Sequence, residues 1–243
     1  MTPTDQLDLT LRRAEPEDAT AIADLYSQAR VAAVPMMPPA THTNEEDRAW
    51  FATQLVRPGH EVWVAERAGE LLGYATITPL WLDHLFIRAG ATGTGVGTVL
   101  LDLVKSLRPD GFALWVFESN TGARRFYARH GLVELERTNG AGNEERAPDI
   151  RMAWPGAEPS AFLRRLVDEV DEQLGDLLAR RVALTRAEQV CLGGPEPDAE
   201  RERQIVETLA ERAPELGAER LGRILRAVLV ESLDAARETL RAR

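Results

Sequence analysis

The chain has one cysteine in 243 residues, no apolar run near the ~18 residues that would cross a membrane, and fewer cations than anions. A lone Cys191 excludes an intrachain disulfide and a cysteine-rich metal site. The four histidines, His42, His60, His84 and His130, show no ligand spacing, so no metal is expected. The opening Met1-Thr2-Pro3-Thr4-Asp5-Gln6 has neither the basic nor the apolar region of a signal peptide. A cytoplasmic location away from membranes is the expectation. The formal charge is −10, with 15 Lys and Arg against 21 Asp and Glu in residues 1–155 and 14 against 18 in the rest. Either half would repel a phosphate backbone, which argues against nucleic acid as a partner and leaves a cationic amine compatible.

With 44% hydrophobic and 28% charged residues, the composition is that of a globular protein long enough for two cores. The pattern changes character once. Up to Trp154, short β-rich runs alternate with amphipathic helices, and strands are predicted near 9–14, 61–67, 71–79, 81–87, 112–118, 132–138 and 149–154. Thr43-Asn44-Glu45-Glu46 is a capping box opening a helix at 44–55. Pro155-Gly156-Ala157-Glu158-Pro159-Ser160 reads as a linker, and beyond it helices are predicted over 161–192, 198–212 and 218–242. The expected organisation is therefore an α+β domain over 1–155, a linker over 156–160 and an all-α domain over 161–243.

The chemistry concentrates after the strand Leu82-Asp83-His84-Leu85-Phe86-Ile87. There Thr92-Gly93-Thr94-Gly95-Val96-Gly97 leads into a helix at Thr98. Glycines allow close approach, and a helix N-terminus presents free N–H groups and partial positive charge, a combination suited to pyrophosphate. A plain strand-to-helix turn can also contain three glycines. No Gly-Lys-Ser/Thr ending marks a P-loop, and no acidic residue stands where a dinucleotide fold needs one. A second segment follows another strand and contains Asn120, Ala123, Phe126, Tyr127 and Gly131.

These two segments resemble the core motifs of the GNAT acyltransferase superfamily, over about 10–154. The resemblance implies an α+β fold with a mixed, mainly antiparallel sheet flanked by helices, and acetyl-CoA or another short acyl-CoA as co-substrate. The cofactor would be held by Phe86, Ile87, Thr92, Gly93, Thr94, Gly95, Val96, Gly97, Thr98, Asn120 and Phe126. Thr92 stands where the family usually has a basic or amide residue, so a charge-assisted phosphate contact is missing there. The implied reaction is direct transfer to a small amine, with Tyr127 as general acid. By register, Asp83 is the expected general base and Glu118 the second choice. Asp83 and His84 are adjacent, so strand alternation should let only one of them face the acceptor. Asn120 would orient the second motif and the cofactor arm. Acceptor recognition is expected from Pro38 to Glu46, with His42, and from the loop Gly140 to Arg146.

In the helical half, Phe162, Leu163, Leu166, Val167, Val170, Leu174, Leu177, Leu178 and Leu184 make one continuous stripe, which predicts a homodimer. The charged pattern around it resembles the all-helical, three-helix chorismate mutase family over about 160–240. That resemblance implies a site for chorismate or a related dicarboxylate, with Arg164, Arg181 and Arg201 on carboxylates and Glu202 and Ser232 on the hydroxyl. The family's lysine falls near Gln189 or Leu192 and its glutamine on Ala236, so a poor or inactive mutase is expected, the alternative being a bifunctional enzyme with a working chorismate mutase, or a dicarboxylate sensor.

Overall fold

Residues 9–192 and 199–241 are described by the structure, a computed structural model. The predicted strands are present with ends shifted by a residue or two. β1 (Thr10–Arg13), β2 (Glu61–Arg67), β3 (Glu70–Ile77) and β4 (Leu82–Ile87) form one antiparallel sheet in the order β1-β2-β3-β4. β5 (Phe112–Phe117), β6 (Val133–Thr138) and β7 (Asp149–Trp154) form a second, in the order β5-β7-β6. The two sheets meet at a parallel bridge between Trp81 and Ala113, where Ala113 N–H donates to Leu80 O at 2.9 Å. Past this bridge β4 and β5 are no longer paired, and a cleft opens between them.

Helices cover both faces. α3 (Val96–Leu107) buries Val96, Leu100, Leu101 and Val104 on one side, each such side chain stabilising by about 1.5–3 kcal/mol. Gly73 lets β3 pass close beneath: a Cβ there would lie 2.7 Å from Ile87 Cδ1 and 3.2 Å from Leu100 Cδ1. On the other side, α1 (Ala19–Ala32) and α2 (Asn44–Val56) pack Ile22, Leu25 and Phe51 onto Val64 and Tyr74. The expected capping box starts α2, with the Thr43 side chain accepting from Glu46 N–H while the Glu46 side chain accepts from Thr43 N–H. α4 (Thr121–Arg129) follows β5 and is capped by Asn120, whose Oδ1 accepts from Ala123 N–H at 3.1 Å.

The chain divides into two compact units between Leu163 and Arg164, inside α5 (Pro159–Leu192) rather than before it. Phe162 explains the position. It is buried against Gly111, where a Cβ would come within 2.5 Å of its ring, so the first turn of α5 packs with the α+β unit. Gly156 has φ +74° and packs on the Pro109 carbonyl, which holds the approach to α5 in place. The second unit contains the rest of α5 with α6 (Ala199–Arg212) and α7 (Gly217–Arg241). α6 and α7 pack together, Val206 facing Gly222. Among the described residues no helix is long and apolar enough to cross a membrane, and no cluster of His, Cys, Asp and Glu could hold a metal.

Candidate functional site

The cleft between β4 and β5 has a volume of about 1450 Å³ and runs from the glycine loop to α1 and the β6–β7 loop. At the glycine end, Gly93 and Gly95 adopt φ +79° and +94°, a region that side chains with a Cβ rarely occupy. Gly95 is the N-cap of α3 and has no side chain, so the first helical N–H groups face the cleft uncovered. Thr92, Gly93, Gly95, Gly97 and Thr98 line it. Thr94 and Val96 do not: Thr94 Oγ1 donates to Ala91 O at 2.7 Å, and Val96 is buried in the core. Thr92 Oγ1 likewise donates to Ala89 O, at 2.5 Å, so its proton holds the turn and is not free for a phosphate.

Arg129, the last residue of α4, and His130, its C-cap, were passed over by the motif reading and also line the cleft. Gly122, Phe126, Arg129 and His130 line the cleft at spacings of four, three and one. His130 Nδ1 contacts Phe126 O at 2.8 Å; since a carbonyl only accepts, the neutral ring carries its proton there and Nε2 accepts from Thr98 Oγ1 at 3.2 Å. Arg129 is exposed and lines the same cleft as Thr92. Helical periodicity was the signal that would have picked out both.

The two walls of the cleft differ in what they present. Arg88 N–H donates to Leu72 O at 2.9 Å, and antiparallel parity then assigns the main chain of Phe86 and His84 to β3. Leu85 and Ile87 therefore turn their N–H groups toward the cleft. The expected pair Phe86 and Ile87 is corrected to Leu85 and Ile87; Phe86 contributes its ring, edge-on to Tyr26 at 4.9 Å. A second correction concerns Asp83 and His84. The register of β3 and β4 shifts between Thr76 and Ile77, so Asp83 is the extra residue of a β-bulge. A bulge suspends strict alternation, and both side chains line the cleft.

Burial raises the pKa of the Asp83 carboxyl above the usual range, against the lowering effects of a hydrogen bond with Thr78 and of His60 nearby. Burial, with the charge of Arg30, pushes His84 down to about 4. The His84 ring is caged by aromatics, stacking on Tyr26 at 5.4 Å and on Trp50 at 5.2 Å, and its Nδ1 contacts Tyr74 OH at 3.2 Å. On the opposite wall Tyr127 is buried, and desolvation raises its phenol well above 10. Asn120 and Phe126 also line this wall. Glu118 lies on the outside, its Oε1 accepting from Arg137 Nη1 at 2.8 Å.

At the far end the two segments expected to recognise the acceptor meet each other. His42 Nε2 lies 2.7 Å from Glu144 Oε2, and that partner raises the histidine pKa. Arg30, 5% exposed, donates to Glu145 Oε1 at 2.9 Å and to Pro38 O at 3.2 Å. Asn143 braces the loop from within by hydrogen bonds to Ala147 and Asp149.

The model of the acetyltransferase (GNAT) family matches residues 21–132, just under half of the chain. The first unit has the GNAT acetyltransferase fold. Solved structures agree: a GCN5-related N-acetyltransferase from Rhodopseudomonas palustris is 23% identical with a TM-score of 0.51, the match covering 60% of this chain and 94% of that one. YjaB from Escherichia coli, in its apo form, is 23% identical with a TM-score of 0.50, covering 61% and 99%. No curated protein matches. The region both structures share with this chain is the size of the GNAT unit.

In the helical unit, outside the GNAT fold, Arg164 and Arg201 are exposed and Glu202 is half-buried. Arg181 has a buried Nη1 with no hydrogen-bond partner. Ser232 is buried and donates its hydroxyl back to Val228 O, one turn earlier on α7. Ala236 is fully buried.

Proposed function

We propose that the first unit is an acetyl-CoA-dependent N-acetyltransferase that acts on a small amine by direct transfer. The observation that carries this reading is the continuous cleft with a bare, glycine-capped helix N-terminus at one end and both Asp83 and Tyr127 in its lining. A pyrophosphate fits the glycine end because Gly93 has open space where a Cβ would stand, and Arg129 adds the charge. Acetyl-CoA supplies the acyl group as a thioester.

The N–H groups of Leu85 and Ile87 are fixed by the β3 ladder behind them and stabilise charge on the acyl oxygen without reorganising. Asp83 takes the proton from the acceptor ammonium, directly or through water. Its raised pKa brings it nearer that of the proton it removes. His84 is neutral at pH 7, so no imidazolium repels a cationic acceptor. Tyr127 keeps its phenolic proton at neutral pH and gives it to the departing sulfur. The test is thiol release from acetyl-CoA over a panel of amines, with calorimetry of CoA binding. Normal folding without CoA affinity would overturn the reading.

A second reading rests on α5. Val167, Val170, Leu174, Leu177 and Leu184 recur at spacings of three, four or seven and are 51–61% exposed. An apolar stripe of this length pairs with a second copy through the helical unit. The unpartnered Arg181 Nη1 supports a chorismate-like dicarboxylate ligand, while the buried Ala236 leaves no donor for an ether oxygen. The reading is a homodimeric module that binds the dicarboxylate with poor or no mutase turnover. Light scattering of the chain and of its Leu174→Glu variant tests the dimer. Chorismate binding and consumption, with Arg181→Ala, test the ligand.

A further inference from the structure

Two large apolar side chains that the α+β unit leaves exposed line the main cleft: Met36 is 46% exposed and Trp115 44%. Both are fixed in place. Met36 lies in the turn after α1, and Ser119 Oγ donates to its carbonyl at 2.7 Å, which ties that turn to the chain just past β5. Trp115 lies within β5. Strand alternation sends it to the side of Phe117, opposite Leu114 and Val116, which belong to the core. Ala29, Ala33 and Met37 add apolar lining from α1 and its turn.

The polar groups that share this end of the cleft already have partners. Arg30 pairs with Glu145 at 2.9 Å and lies over the rings of Tyr26 and Phe117, 5.8 and 5.9 Å from their centres. Arg30 Nε has no hydrogen-bond partner, but that atom is buried away from the open space. Asp149 accepts from Thr138 Oγ1 and from Asn143 Nδ2. His84 is held by Tyr74 OH and between the rings of Tyr26 and Trp50. Trp81 stacks on Trp115 at 6.5 Å, and it is Trp81 that Arg151 covers. What the open cleft leaves without a partner here is therefore apolar surface.

We propose that the acceptor is a primary amine carried on an apolar body, which lies against Met36 and Trp115. The inference rests on the acetyltransferase reading, which supplies the reaction: ammonium and thioester become amide and thiol, with one proton released. Covering exposed apolar surface favours binding, and a cleft lined this way selects by shape and apolar area. An aromatic body suits it best, since indole offers a broad face for stacking and thioethers contact rings favourably. A polar group in the same position would give up water for an apolar wall.

The experiment compares 2-phenylethylamine with ethanolamine, which has a hydroxyl in place of the phenyl ring, on the full chain with acetyl-CoA. 2-Phenylethylamine should have the higher kcat/KM by about tenfold or more, mostly through KM. In Met36→Gln/Trp115→Thr the ratio should fall toward one, with CoA affinity by calorimetry reporting that the variant is folded. If the double variant does not fold, Met36→Gln alone, at an exposed side chain, should still lower the ratio partway. Equal or better use of ethanolamine by the wild type, or a ratio that survives in the variants, overturns the proposal and leaves the acetyltransferase reading intact. Direct calorimetry of 2-phenylethylamine separates the two failures. If no amine is acetylated yet 2-phenylethylamine binds and the variants lose it, the apolar site stands and the transferase reading falls; no binding and no turnover removes both.

Discussion

The two ends of the cleft are built differently. The glycine end is local: Thr92 to Thr98 and Asn120 to His130 are two short segments, each a strand-to-helix junction whose own backbone forms the site. The other end, proposed for the acceptor, is assembled from distant pieces. Arg30 of α1 meets Glu145 of the β6–β7 loop, and His42 meets Glu144. Its residues are ordinary core or surface types until the fold brings them together. A local motif fixes one ligand chemistry, whereas an assembled site can change partners without disturbing it.

The largest expected effect lies where the two ends meet. Tyr127→Phe should lower kcat by about 10² to 10⁴ while CoA affinity holds, the range for losing a general acid. Stopped turnover measured beside calorimetry checks this, and an unchanged kcat would remove Tyr127 from the chemistry. At the glycine end, Gly95→Val places a β-branched residue at φ +94° and should weaken CoA binding by about 100-fold, with no change in acceptor discrimination if the ends are separable. Calorimetric titration of CoA decides it. Arg129→Ala should raise the KM for acetyl-CoA by about 5- to 10-fold, an effect that shrinks as salt is added. A salt-independent change would assign Arg129 a structural role.

The smallest effect belongs to His84, on β4 between the two ends, and concerns stability. Burial holds the folded pKa of His84 near 4, below its ordinary 6.5. The unfolded chain therefore binds the proton more readily between these values, so its contribution to stability is full above about 6.5 and is lost as pH falls toward about 4. Thermal melts across that window should show Tm falling on acidification, and His84→Phe should flatten the slope. An equal slope in the variant would assign the acid sensitivity to other groups.

How much was legible follows from the same contrast. The strands, the Thr43 capping box and the glycine loop were all readable, because each is specified by residues adjacent in the chain. The β-bulge was not: Leu82 to Ile87 reads as an alternating strand, and only the pairing with β3 makes Asp83 the extra residue that turns both it and His84 to the cleft. The same pairing, not the local sequence, gives the free N–H groups to Leu85 and Ile87. The division inside α5 also lay outside reach, since Phe162 fits a helical stripe equally well and only Gly111 shows where it packs.

By itself the sequence determined the elements and the cofactor end, because hydrogen bonding and capping within a few residues are set by which residues are neighbours in the chain. Tertiary structure alone decided which polar atoms of β4 face the cleft and which side chains of α1, α4 and the β6–β7 loop share it. Those depend on register and on close approach between segments far apart in sequence, and no local preference encodes them.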